Sequence, residues 1–165
     1  MNLQKIHVEL VPQSCFFTNV RSQVSAADWD IIRKEAYKKA GWQCEVCGEK
    51  GRMEAHEIWH YDDKKLVQKL FKIVSLCGLC HQVYHLGYAS ISGKLPQAIR
   101  RLSKLNSWSM PETQAYVEAV FEIFYQRSQK QWKLDLTLLD KMNIKYSLIN
   151  PKDRVRVSAK KLKEG

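Results

Sequence analysis

A chain of 165 residues, 45% hydrophobic and 27% charged, can bury a sizeable core as one domain, which excludes a disordered polyelectrolyte. Lys and Arg number 27 against 17 Asp and Glu, and the resulting +10 favours a polyanionic partner, nucleic acid above all. No apolar run approaches the ~20 residues that span a bilayer, and no basic-then-apolar leader opens the chain, so a cytoplasmic protein without a membrane partner is expected. In that compartment paired cysteines are metal ligands more often than disulfides.

Residues 1–24 read as irregular with strand-like pieces. Ile6 to Val11 partly alternates until Pro12, and Cys15-Phe16-Phe17 is a short apolar segment. Cys15, outside both cysteine pairs, reads as a small buried hydrophobe. Ser25 and Asp28 have capping-box spacing and open a helix to about Ala40, with Trp29, Ile32, Ala36 and Ala40 on one face. Gly41 suits its end and delivers the chain to Cys44.

Arg52 to Trp59 reads as a strand, Tyr61 to Lys65 as a polar loop, and Leu66 to Leu76 as mainly strand. Leu79 to Leu86 reads as a helix closed by Gly87. A helix from Leu95 to about Leu105 presents Arg100, Arg101 and Lys104 on a potentially exposed face, as candidate phosphate contacts. Ser109-Met110-Pro111-Glu112 is a second capping box, and the helix it opens should run to about Lys130. Tyr116, Ala119, Val120, Ile123 and Phe124, flanked by Val117, Phe121 and Tyr125, predict a broad buried face there. Trp132 to Leu138 alternates like a late strand. The last 14 residues hold six basic against two acidic positions, a net +4 that fits either a solvated tail or a phosphate-contacting arm.

Two Cys-x2-Cys pairs, Cys44 with Cys47 and Cys77 with Cys80, are separated by 29 residues. Two thiolates at that spacing turn toward one ion, and two pairs complete the four-sulfur shell of a structural Zn2+ with no position left for water. Disulfides or a redox pair would not account for both pairs together. His81 and His85, at i and i+4, share a helix face, and a strand–strand–helix fold brings His56 onto them. Three neutral imidazoles with open positions suit a catalytic divalent cation, Mg2+, Mn2+ or Zn2+.

Glu54-Ala55-His56-Glu57-Ile58-Trp59, followed by Leu76-Cys77-x2-Cys80-His81-x3-His85, resembles the HNH endonucleases of the ββα-metal (His-Me finger) class, in their four-cysteine zinc subgroup. The flanks Asn19-Val20-Arg21-Ser22, Asp28-Trp29 and Asn106-Ser107-Trp108-Ser109 look like a bacterial and phage HNH group, so the resemblance spans roughly residues 10–138. It implies an α+β fold with a zinc-stapled ββα-metal core at 44–88, preceded by an N-terminal segment and helix (1–43). Helical support (89–150) and a basic tail (151–165) follow in the same single domain. It further implies phosphodiester cleavage in DNA, with His56, His81 and His85 as ligands. The general-base position falls on Glu57, which is ionised at an ordinary pKa and can accept a proton. His60 is a substitute base that shares a face with His56 on a regular strand. The family's middle Asn is replaced by Lys72, which can contact phosphate. The alternative is a zinc-stapled nucleic-acid-binding module with impaired chemistry. Binding of another protein through the helical half has no positive signal.

Overall fold

The computed structural model describes residues 4–16 and 18–148, so Phe17 and the basic stretch 152–165 lie outside it. The architecture is α+β. A long hairpin, β1 (Met53–Asp62) and β2 (Val67–Cys77), is extended on the β2 side by a short parallel strand, β3 (Lys133–Asp135). Six helices surround it: α1 (Val20–Gln23), α2 (Ala26–Lys39), α3 (Gly78–Tyr84), α4 (Leu86–Ile91), α5 (Leu95–Asn106) and α6 (Met110–Ser128). Among the described residues no helix is long and apolar enough to cross a membrane.

The alternation of β1 sorts its side chains to two cores. Ile58 joins Val74, Leu76, Val83, Tyr84 and Leu102 under α3 and α5, whereas Trp59 joins Val20, Ile32, Leu70, Leu134 and Leu139 on the opposite face. Register runs from Met53 opposite Cys77 to Ile58 opposite Lys72, then jumps to Trp59 opposite Leu70. Phe71 is therefore the extra residue of a bulge in β2, and it is exposed.

Both caps form as the sequence predicts. The Ser25 hydroxyl accepts from Asp28 N at 3.0 Å, and Ser109 and Glu112 make a reciprocal capping box with Pro111 in the first turn. Gly41 ends α2 with φ +63°, in the left-handed region that glycine tolerates.

Four expectations need correction. Ile6 to Val11 is not a strand: this segment is a strap whose N–H groups bond to other partners. Lys5 N and Ile6 N donate to Asn106 Oδ1 (2.8 and 3.1 Å), Val8 N to Tyr116 Oη (3.0 Å) and Glu9 N to Tyr84 O (3.1 Å). The loop expected from Tyr61 starts later, because Tyr61 and Asp62 extend β1. Tyr61 packs edge-on against Trp132 with centroids 5.2 Å apart, and the Asp62 carboxylate accepts from Lys64 N and Lys65 N to form the turn. Gly87 does not close a helix; α3 stops at Tyr84, and Gly87 sits inside α4, where a Cβ would meet Leu10 Cδ2 of the strap at 3.4 Å. The broad buried face of α6 is absent beyond its first half. Val117 is buried and Val120 and Phe121 pack against the same core, but Ile123 and Tyr125 are 46% and 56% exposed. Farther along only a narrow edge is covered, where Phe124 stacks on Phe16.

Asn106 is 3% exposed, and its amide satisfies Lys5 N, Ile6 N and Ile6 O of the strap. Asn106→Ala leaves those buried backbone groups unpaired and is expected to cost about 2–4 kcal/mol, seen as a lower urea midpoint at unchanged slope.

Candidate metal centres

The first cysteine pair sits on a knuckle just after α2. Cys44 N donates to Glu49 O at 2.9 Å, Gly48 N to Cys44 O at 2.8 Å, and Gly48 takes φ +75°. Glu45 docks this knuckle on β2: its N donates to Ser75 O (2.9 Å), its Oε1 accepts from Ser75 N (3.0 Å), and Lys72 Nζ lies 3.6 Å from its Oε2. Lys72 thus braces the knuckle from an exposed position in β2.

The second pair straddles an element boundary. Cys77 ends β2 and is the N-cap residue of α3, while Cys80 lies in the first turn of that helix. All four sulfurs lie within 4.8 Å of one another, and Cys47 Sγ is 3.7 Å from Cys77 Sγ. Zn–S bonds of ~2.3 Å in a tetrahedron place sulfurs ~3.8 Å apart, so the cluster fits a structural zinc. The Cys44 thiol is held down to about 4, first by the hydrogen bond from Cys80 and, against burial, by backbone N–H groups of Cys77, Cys47 and Val46. Burial pushes Cys77 up to about 11, and the contact with Cys44 pushes Cys80 up further. Arg101 Nη2 reaches Cys80 Sγ at 3.5 Å, so this guanidinium faces the thiols and not open solvent, while Arg100 and Lys104 on α5 are exposed.

The hairpin followed directly by α3 brings His56 of β1 to His81 of α3 and to His85, the helix's C-cap. Ligand nitrogens of the three lie within 4.8 Å of one another, and His56 Nδ1 is 3.1 Å from His85 Nε2. Metal–nitrogen bonds of ~2.1 Å put adjacent ligand nitrogens ~3.0–3.4 Å apart. Burial, helped by the neighbouring imidazoles, pushes His56 and His85 down to about 3, so both are neutral at neutral pH with lone pairs available.

Two carboxylates orient these rings. Glu9, on the strap and 9% exposed, contacts His56 Nε2 through Oε2 at 3.1 Å and accepts from Trp59 N through Oε1 at 2.7 Å. Burial pushes Glu9 up to about 7, against the Trp59 hydrogen bond. Glu54 Oε2 contacts His81 Nδ1. Each contact uses the nitrogen that is not needed for an ion and leaves the other, the carboxylate–histidine–metal pattern. The sequence carries a signal for Glu54, which lies two residues before His56 on the same strand face. For Glu9 there is only an acid within an apolar run.

Glu57 points the other way from His56. Its Oε1 accepts from Val20 N at 2.8 Å, its carboxylate also bonds Arg21 N, and burial pushes it up to about 8. It still lines the cleft that the three histidines line. His60 is exposed farther along β1, opposite Lys69, and is not among the convergent imidazoles.

No protein-family model, curated protein or solved structure matches this chain.

Two measurements check the centres. Purified protein is expected to carry one zinc per chain, lost with the fold on Cys44→Ser but retained on Cys15→Ser, by elemental analysis and circular dichroism. Glu9→Gln is expected to weaken binding of a second divalent ion, Co2+ or Mn2+ by titration calorimetry, roughly 10- to 100-fold without loss of the zinc.

Proposed function

We propose that this chain is a metal-dependent HNH-type endonuclease that hydrolyses phosphodiester bonds in DNA. The observation that carries the reading is the convergence of His56, His81 and His85, the first two oriented by carboxylates, on one wall of a cleft beside a closed four-sulfur site. A closed zinc site stabilises structure, whereas three imidazoles leave coordination positions for substrate. A divalent cation held there supplies charge stabilisation for the phosphate and the leaving oxygen.

The chain's own residues supply the rest. Glu57 lines the same cleft and would take a proton from water only in its ionised form. Burial pushes it up to about 8, so it holds its proton at neutral pH and, against the sequence expectation, becomes a base only as pH rises through that value. His60, exposed and outside the group, has no part in this step. Arg100 and Lys104 on α5, with the exposed Lys72, provide positive charge for the phosphate backbone. The thiol ligands suit a reducing compartment such as the cytoplasm.

One observation favours the second reading, a nucleic-acid-binding module without chemistry. The Glu57 carboxylate is already engaged by Val20 N and Arg21 N. Supercoiled plasmid with Mg2+ or Mn2+ separates the two. The nuclease nicks it, and His81→Ala slows nicking about 100-fold or more at unchanged zinc content. Salt-dependent binding without nicking by wild type under any divalent ion leaves the binding module.

A further inference from the structure

The cleft beside the histidines is large and mostly apolar. Its volume is about 760 Å3, within the ~300–1,000 Å3 of small-molecule sites, and it is bounded by the strap, β1, α4 and α6. Phe16, Trp59, Tyr88, Ile91, Phe121 and Phe124 line it, with the imidazoles and Arg21 on the same wall system. Tyr88 and Ile91 are 66% and 82% exposed, and Phe16 stacks on Phe124 with centroids 6.4 Å apart. A backbone phosphate needs none of this apolar surface.

Gln68 also lines the cleft and is 1% exposed. Its Nε2 donates to Tyr61 Oη at 3.3 Å, while its Oε1 is buried without a hydrogen-bond partner among the described residues. A buried amide oxygen left unpaired costs stability, and a ligand that donates to it removes that cost.

We propose that this cleft takes an unstacked nucleobase of a single-stranded nucleic acid, with its adjoining phosphate at the imidazole end. The proposal rests on the phosphodiester reading above and names its substrate class. Bases stack on aromatic side chains whatever their sequence, and a base splayed from a strand can enter a pocket that a paired base cannot. The Gln68 carbonyl can accept from a donor on a base edge, an exocyclic amino group or a ring N–H. Arg21 at the cleft and the +10 of the chain complement the phosphates on either side. An uncharged apolar ligand would match the aromatic wall but would leave Arg21, the imidazoles and the Gln68 carbonyl without a role.

The test uses the full zinc-loaded chain with no second divalent ion added, so that binding is read without cleavage. Trp29 and Trp59 line the cleft and report occupancy by fluorescence. A short single strand is expected to quench them and to bind at least about tenfold tighter than the matched blunt duplex. Tyr88→Ala, at an exposed position, should weaken the single strand roughly 5- to 100-fold and leave the duplex unchanged. Gln68→Leu removes the unpaired carbonyl together with the Nε2–Tyr61 hydrogen bond, so the variant, its fold checked by melting, should bind the single strand more weakly. Quenching by the single strand without plasmid nicking by wild type overturns the chemistry alone. Equal affinity for strand and duplex, with Tyr88→Ala neutral, overturns the cleft proposal even where nicking is robust. A free mononucleotide that binds as tightly as the strand also overturns it.

Discussion

Cys77 ends β2, precedes the first turn of α3 and contributes one of the four converging sulfurs. That coincidence fixes where the helix leaves the sheet. With Cys44 and Cys47 on a knuckle docked to β2 through Glu45, a zinc at this position ties α3 to the hairpin at its first residue. His81 and His85 then follow at set distances along the helix, and His56 sits on the strand face turned toward them. The imidazole group depends on the staple: a rotation of α3 about its axis would carry both helix histidines away from His56.

The strap makes the second dependency. It adds no strand, and its backbone is satisfied by Asn106, Tyr116 and the end of α3. Glu9 is placed by that satisfaction, since its backbone N–H and both carboxylate oxygens are all engaged, with Tyr84, Trp59 and His56. A buried acid held at three points orients the ring beside it, which a surface carboxylate would not do. The long separation in sequence, with Glu9 and His56 47 positions apart, is bridged by Asn106 holding the strap on α5.

The same distinction explains how far the sequence could be read. Spacing within one element is local information, so Cys-x2-Cys, His81 with His85 and the Ser109–Glu112 box were all legible before any fold was known. The meeting of His56 with the helix pair was legible because a strand, a strand and a helix in immediate succession have few ways to pack. What failed was information about what covers a surface. The apolar positions of α6 predict a buried face, but periodicity does not say that its partners end with α5 and the strap. Arg101 reads as a surface charge until the packing of Ala98 and Leu102 turns its neighbour toward Cys80. Glu57 reads as a free base until α1 is placed over it.

Several departures from ordinary packing line the cleft. Glu9 and Glu57 have proton affinities raised by burial, and an acid whose folded pKa lies above its usual value makes folding less favourable at neutral pH. Gln68 carries an unpaired carbonyl, and Tyr88 and Ile91 leave apolar surface in water. The zinc side is not free of such costs, since Ser75 Oγ and Arg101 Nε are buried without a hydrogen-bond partner among the described residues and α3 starts after Cys77 without a side-chain cap. A domain stable by only about 5–15 kcal/mol cannot carry several such costs unless another part offsets them. The four-sulfur site is suited to that, because binding energy at a structural zinc is folding energy, on the order of 10 kcal/mol. A zinc bound there would therefore do more than shape the imidazole group: its binding energy would offset the cost of an apolar, incompletely paired cleft.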